Sequence, residues 1–215
     1  MPSTLQSIQI GKVITEGNPG TRDPARHQWT TGFYKSPVDF PVHMGELGID
    51  GDSVADALHH GGHDKAVLCY AMDHYPRWNE ELPELKMGPG AFGENLVLGE
   101  IDEKSVCIGD QYRLGPCRIE VSQPRQPCWK ISRRWGLSTL TKQVTQSGRT
   151  GWYIRVHEPG QIQVGLEMSL LERPHPEWSI ARANEVMFGK GRDPRAVEEL
   201  LSLTELADAW KADLS

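Results

Sequence analysis

A chain of 215 residues with 38% hydrophobic content, a mean hydropathy of −0.50 and a formal net charge of −6 has the composition of an ordinary soluble protein, large enough for one domain or a domain with an appendage. No apolar run approaches bilayer length, the first residues lack the basic-then-apolar pattern of a secretory signal, and the acidic balance argues against general nucleic-acid binding. The four cysteines, Cys69, Cys107, Cys117 and Cys128, form no C-x-x-C pair, so no zinc ribbon or disulfide scaffold is expected, and a reducing cytoplasm is the default location.

Residues 7–15 (SIQIGKVIT) alternate apolar and polar side chains in part, predicting a first strand. Residues 47–52 (LGIDGD) lack the ligand sequence and terminal Glu of a calcium loop and read as a glycine-rich turn. Residues 65–72 (KAVLCYAM) have the length of a buried strand, which places Cys69 in the core. A helix is predicted over 73–81. Residues 111–114 and 117–122 flank Gly115 and Pro116 as a hairpin. Its second arm puts Cys117, Ile119 and Val121 on one face and Arg118, Glu120 and Ser122 on the other, so Cys117 is also a core residue. Residues 137–145 predict a further helix.

The character changes after Arg173. Ser179 can cap a helix over 181–188 that Gly189 and Gly191 stop. Asp193 and Pro194 open a second, with Val197, Leu200 and Leu201 on one face. Thr204 opens a third, with Leu203, Leu206, Ala207 and Trp210 at i, i+3, i+4 and i+7. Three short helices cannot be stable alone, so they are expected to pack on the β core or on a partner chain.

The most informative segment is 121–130 (VSQPRQPCWK). Pro124 and Pro127 stiffen the loop that presents Cys128, and Arg125 and Lys130 stand close in sequence. Cations near a thiol favour the thiolate, the form that attacks electrophiles and ligates metals. From Val121 to His157 there are seven Lys or Arg residues and no Asp or Glu, so the remainder of this −6 chain carries −13. An acid-free basic stretch centred on a cysteine suits a small anion held beside a thiolate. A second loop fits the same purpose: Gly61 and Gly62 allow backbone N–H groups close to a phosphate, and His60 and Lys65 supply donors and charge. His59, His60 and His63 also raise zinc, at a spacing that matches no standard motif. Asn95 is read either as a ligand donor or as a turn cap, and Arg149 as a further anion contact.

Together H-G-G-x-D-K at 60–65, F-G-E-N-L at 92–96, Q-P-R-x-P-C at 123–128 and G-W-Y at 151–153 resemble the MOSC family, the molybdenum-cofactor sulfurase C-terminal domain. The chain is most similar to the stand-alone bacterial subgroup known as 6-hydroxylaminopurine resistance proteins. The resemblance implies a mainly β fold with α, in which an N-terminal strand region (1–29) packs on a barrel-like MOSC domain (30–173) followed by a three-helix extension (177–215). It also implies a molybdenum cofactor (molybdopterin), with Cys128 as the metal-ligating or sulfur-carrying cysteine, and with His60, Gly61, Gly62, Lys65, Asn95, Arg125 and Arg149 as cofactor contacts. Family members reduce N-hydroxylated bases and amines with electrons from a separate reductase. The expected activity is therefore a molybdenum-dependent oxidoreductase acting on a small N-hydroxylated substrate. The sequence has no flavin fingerprint and no cysteine motif for an iron–sulfur cluster, so a flavoprotein or similar reductase is an expected partner, with a homodimer also to be considered and neither nucleic acid nor membrane. The alternative is a non-redox carrier of persulfide sulfur or of the cofactor.

Overall fold

The computed structural model describes residues 3–23 and 26–215, so within the N-terminal region only positions 1, 2, 24 and 25 lie outside the described residues. The predicted first strand is two strands. β1 (Ser3–Ile10) ends before Gly11, where a Cβ would fall 2.1 Å from the Tyr34 carbonyl oxygen, and the chain resumes as β2 (Ile14–Glu16). β1 buries both Leu5 and Ile8 although they are three residues apart. A register shift between Leu5 and Ser7 reconciles this with the two-residue period of a strand.

After β3 (Trp29–Thr31), β4 (Ser36–Val38), β5 (Val42–Gly45) and β6 (Gly48–Ile49) come a short helix α1 (Ala57–His60), a 3-10 turn at His63–Lys65 and β7 (Val67–Ala71). Helix α2 (His74–Glu81) matches its prediction, and it leads through a long loop to β8 (Leu96–Gly99). The hairpin is present as β9 (Gln111–Leu114) and β10 (Cys117–Pro124). Helices α3 (Lys130–Trp135) and α4 (Leu140–Ser147) precede β11 (Trp152–Glu158), β12 (Gly160–Ile162) and β13 (Glu167–Glu172). Helix α3 lies where the sequence reading had only the cysteine loop. Its signals are local: Ile131 is buried one turn before Trp135, and Gly136 terminates it at φ +64°.

The order β13-β9-β10-β11-β7-β8-β1, with β1 also paired to β13, closes a seven-stranded barrel, and β4 extends it beside β1. Every antiparallel seam reverses chain direction, so seven such seams could not close on themselves. The β7–β8 pair is parallel and resolves the mismatch. Parallel neighbours need a crossover, which residues 72–95 supply with α2.

Alternation sorts the barrel wall. Val67, Cys69, Trp152 and Ile154 belong to the main core with Cys117, Ile119 and Val121. Tyr70 belongs to a second cluster outside the wall, with Tyr75 and Trp78 of α2, Phe92, Ile131 of α3, and Leu140 and Val144 of α4. β7 is therefore covered on both faces, which is why it reads as a continuous apolar run.

The three C-terminal helices are α5 (Ile180–Phe188), α6 (Pro194–Ser202) and α7 (Asp208–Leu214). Ser179 caps α5 by accepting from the Arg182 N–H, and Asp193 caps α6 by accepting from the Arg195 N–H. The third helix starts four residues later than Thr204 predicts, because residues 204–206 form a turn. Leu203, Leu206, Ala207 and Trp210 are nonetheless all buried, in the same cluster as the barrel interior. Among the described residues no helix is long and apolar enough to cross a membrane.

Cys117 is fully buried inside the barrel. Cys117→Ser places a hydroxyl in those apolar surroundings and should cost about 1–3 kcal/mol, read as a lower melting temperature with site properties unchanged.

Candidate functional site

Leu68 and Tyr153 are direct cross-strand partners on β7 and β11 and point away from the barrel interior. They form part of a cleft of ≈ 620 Å³, its open mouth included, whose lining also contains His60, Lys65, Asn95, Arg125 and Cys128. Residues far apart in sequence thus meet on the outer wall.

Arg125 follows directly from β10, where its N–H donates to the Gly151 carbonyl at 3.0 Å. Its side chain is 4% exposed; Nη2 donates to the Phe92 carbonyl at 3.1 Å, while Nη1 is buried without a hydrogen-bond partner. Among the described residues no carboxylate forms an ion pair with it. The Phe92 carbonyl is placed by Glu94, a fully buried carboxylate that accepts from Tyr75 Oη, the Gly90 N–H and the Phe92 N–H. Gly151 adopts φ +77°, and a Cβ there would fall 2.4 Å from the Cys69 carbonyl oxygen, so both the turn and its approach to β7 require glycine.

Asn95 lines the cleft but its amide is engaged within the protein. Nδ2 donates to Asp52 Oδ2 at 2.8 Å and to the Gln9 carbonyl at 3.2 Å, and Oδ1 accepts from the Leu68 N–H at 3.2 Å. Both amide hydrogens are used within the protein, where Asn95 tethers Asp52.

Cys128 is the one cysteine that is not buried. Burial pushes the other three thiols up, Cys69 well above its ordinary value, Cys107 to about 11, and Cys117 in the same direction. The Cys128 carbonyl accepts from the Ile131 N–H at 3.2 Å and from Thr141 Oγ1 at 3.1 Å. The neighbouring Trp129 rests on Trp29 with ring centroids 5.5 Å apart. The loop is therefore held by α3 and α4 as well as by its prolines. Lys130, in the first turn of α3, lines the cleft beside it.

His60 also lines the cleft, and burial, reinforced by the fields of Lys130 and Arg125, pushes its pKa down to about 4. The imidazole is therefore neutral near pH 7, and the cations of the lining are Lys35, Lys65, Arg125 and Lys130, with the carboxylates of Asp52 and Asp56 in the same lining. Lys65 Nζ donates to the His59 carbonyl at 2.8 Å, and burial lowers its pKa against the opposing pull of Asp213, Asp64 and Asp56. Gly61 and Gly62 are not among the cleft-lining residues, although His60 and Lys65 on either side of them are. Gly62, at φ +90°, turns the chain from α1 into the 3-10 turn, and a Cβ at Gly61 would fall 3.1 Å from the Ala57 carbonyl oxygen. Their effect is to place His60 and Lys65. The three histidines do not converge either: His59 pairs with Asp56, and His63 stands 4.0 Å from Glu46. Among the described residues no three His, Cys, Asp or Glu side chains gather as a metal cage.

Arg149 is engaged elsewhere. It lies outside the cleft, donates from Nη2 to Glu81 Oε2 at 2.5 Å and stacks 3.6 Å over the Trp78 ring. Glu81 of α2 is its counterion, while its Nη1 is buried without a hydrogen-bond partner among the described residues.

The sequence reading missed Lys35 and Asp52, a buried ion pair in the cleft lining. Burial lowers the Lys35 pKa, opposed by Asp52. Asp52 sat in the glycine-rich turn at 47–52, where nothing local marks it; only its tertiary partners Lys35, Asn95 and the Gly11 N–H reveal it. Tyr153 was likewise not singled out, although it ends the G-W-Y motif; its phenol, pushed up by burial, lies within the fields of Arg125 and Cys128.

Two family models match the chain: the MOSC domain over residues 56–169 and the YiiM-like 3-alpha helix domain over residues 178–214. The chain is 38% identical to the protein YflK of Bacillus subtilis (strain 168), covering 91% of this chain and 88% of that one. It is 42% identical to a protein named reductase from Gibberella moniliformis, covering 86% of this chain but only 32% of the fungal one. The crystal structure of YiiM from Geobacillus stearothermophilus superposes with a TM-score of 0.80 at 31% identity, covering 100% of both chains.

Proposed function

This chain belongs to the MOSC domain family, and from that premise we propose that it is a molybdenum-cofactor enzyme reducing N-hydroxylated compounds, hydroxylaminopurines among them, with electrons from a separate flavoprotein or similar reductase. The observation that carries the reading is the buried, unpartnered Arg125 Nη1 in the same cleft as the one accessible thiol. A molybdopterin brings an anionic phosphate and a metal that accepts a thiolate, and the cleft offers a group for each. Cys128 Sγ would hold the metal. Arg125, with Lys65 and Lys130, would hold the phosphate, and neutral His60 adds a hydrogen-bonding ring without further charge. Bound molybdenum supplies the two-electron redox change. The overall conversion takes R–NHOH, two electrons and two protons to R–NH2 and water. Phe33, Leu68 and Phe92 line the cleft with apolar surface that limits water around the reacting group. The fungal relative's name supports reductive chemistry.

The test uses protein purified from cofactor-producing cells, with molybdenum measured per chain and reduction of a hydroxylaminopurine followed in the presence of a reductase or an artificial donor. Bound molybdenum and turnover are expected. Arg125→Ala should weaken cofactor retention on the order of ten- to a hundred-fold, the value of a charge-assisted hydrogen bond. An empty or zinc-loaded parent, or equal occupancy in parent and variant, overturns the assignment. A persulfide on Cys128 without turnover favours the sulfur-carrier reading.

A further inference from the structure

The C-terminal helices match a family model of their own, yet their polar contacts run to the two loops that carry the cleft's cations. The first path centres on Arg155 of β11. Its Nε donates to Asp64 Oδ1, and its Nη1 donates to Glu120 Oε1 and to the Glu205 carbonyl, each at 2.6 Å. Asp64 belongs to the 3-10 turn with Lys65, and Glu205 lies between α6 and α7. Ser122 reinforces this path, since its Oγ donates to the Asp64 carbonyl at 2.5 Å and its carbonyl accepts from the Ala207 N–H at 3.1 Å. The second path starts from α5. Asn184 Nδ2 donates to Thr150 Oγ1 at 2.9 Å, and the Ala181 N–H donates to the Glu103 carbonyl at 2.7 Å. Glu103 Oε1 accepts from the Gly151 N–H at 2.7 Å, and the Gly151 carbonyl holds the Arg125 N–H.

We propose that the three-helix segment is part of the site: it sets the spacing of the Lys65 and Arg125 loops, and Arg155 is the positioning residue that ties the α6–α7 connection to Lys65 and His60. Without the guanidinium, the carboxylates of Asp64 and Glu120 face one vacated space. Glu120 is fixed in a barrel strand, so the displacement falls on Asp64 and its half-exposed turn. Lys65 moves with that turn, and its bond to the His59 carbonyl carries the change into α1 and His60. The consequence for cofactor retention rests on the function proposed above; the positioning itself does not.

The experiment compares Arg155→Met with Leu214→Ala, which thins the packing of buried Leu214 in α7 without touching either path. The His60 imidazole is titrated by NMR in cofactor-free protein, and molybdenum per chain is measured in loaded protein. In Arg155→Met the His60 midpoint should rise from about 4 toward its ordinary 6.5, with less molybdenum retained. In Leu214→Ala the melting temperature should fall with the midpoint unmoved. Arg155→Lys keeps the charge but cannot reach all three acceptors, and it should give an intermediate midpoint even if the methionine variant fails to fold. A midpoint unchanged in the Arg155 variants, or shifted in both sets in proportion to lost stability, overturns the proposal. A parent without molybdenum would defeat the functional reading while the His60 result still decided the positioning.

Discussion

Cys128→Ser should abolish reductive turnover while leaving stability within roughly 0.5 kcal/mol of the parent. The two effects separate because Cys128 is the unburied cysteine, on a loop held through its backbone carbonyl and through Trp129, so the thiol contributes little to packing. Its loss from a metal should cost more than the roughly 10–100-fold typical when a supporting group around a metal is removed. Thermal melts and turnover measured on Cys128→Ser and Cys117→Ser side by side check the assignment. If Cys128→Ser melts early and retains activity while Cys117→Ser is inactive, the ligand has been placed on the wrong cysteine.

Removing residues 177–215 should prevent formation of the native barrel. The tail contributes Trp178, Ile180, Ala183, Met187, Leu200, Leu206 and Trp210 to the same continuous core as Val106, Ile108 and Val121. Deleting a single buried aromatic ring such as Trp210 should already cost about 3–5 kcal/mol, a large part of the roughly 5–15 kcal/mol that holds a typical domain together. Among the described residues Trp210 Nε1 has no hydrogen-bond partner, so ring volume accounts for its contribution. The truncated chain is expected to aggregate or to bind a hydrophobic dye without a cooperative melt. A monodisperse truncation with a cooperative transition near that of the parent would show the helices to be an appendage.

Much of the local structure is legible in the sequence, because its causes lie within a few residues. Ser179 and Asp193 cap helices by reaching N–H groups two or three positions ahead. Gly115 and Pro116 turn the β9–β10 hairpin, and the alternation after them puts Cys117, Ile119 and Val121 inside. The loop motifs, read as a family resemblance, also pointed to Cys128, Arg125, His60 and Lys65, which the fold brings to one cleft.

The state of each charge was decided by tertiary structure. Within the acid-free stretch from Val121 to His157, Arg125, Arg149 and Arg155 look alike in sequence. Folding brings Glu81 to Arg149, and Asp64 and Glu120 to Arg155, while Arg125, in the cleft with Cys128, has no carboxylate paired to it among the described residues. The same holds for Asn95, whose amide is bound to Asp52, and for Lys35, whose ammonium meets that aspartate across a turn with no local signal. A side chain's charge is written in the sequence, but its counterion is set by which distant strands and helices pack against it. Only in the folded chain does a run of seven cations resolve into structural ties and the two cleft-lining cations Arg125 and Lys130.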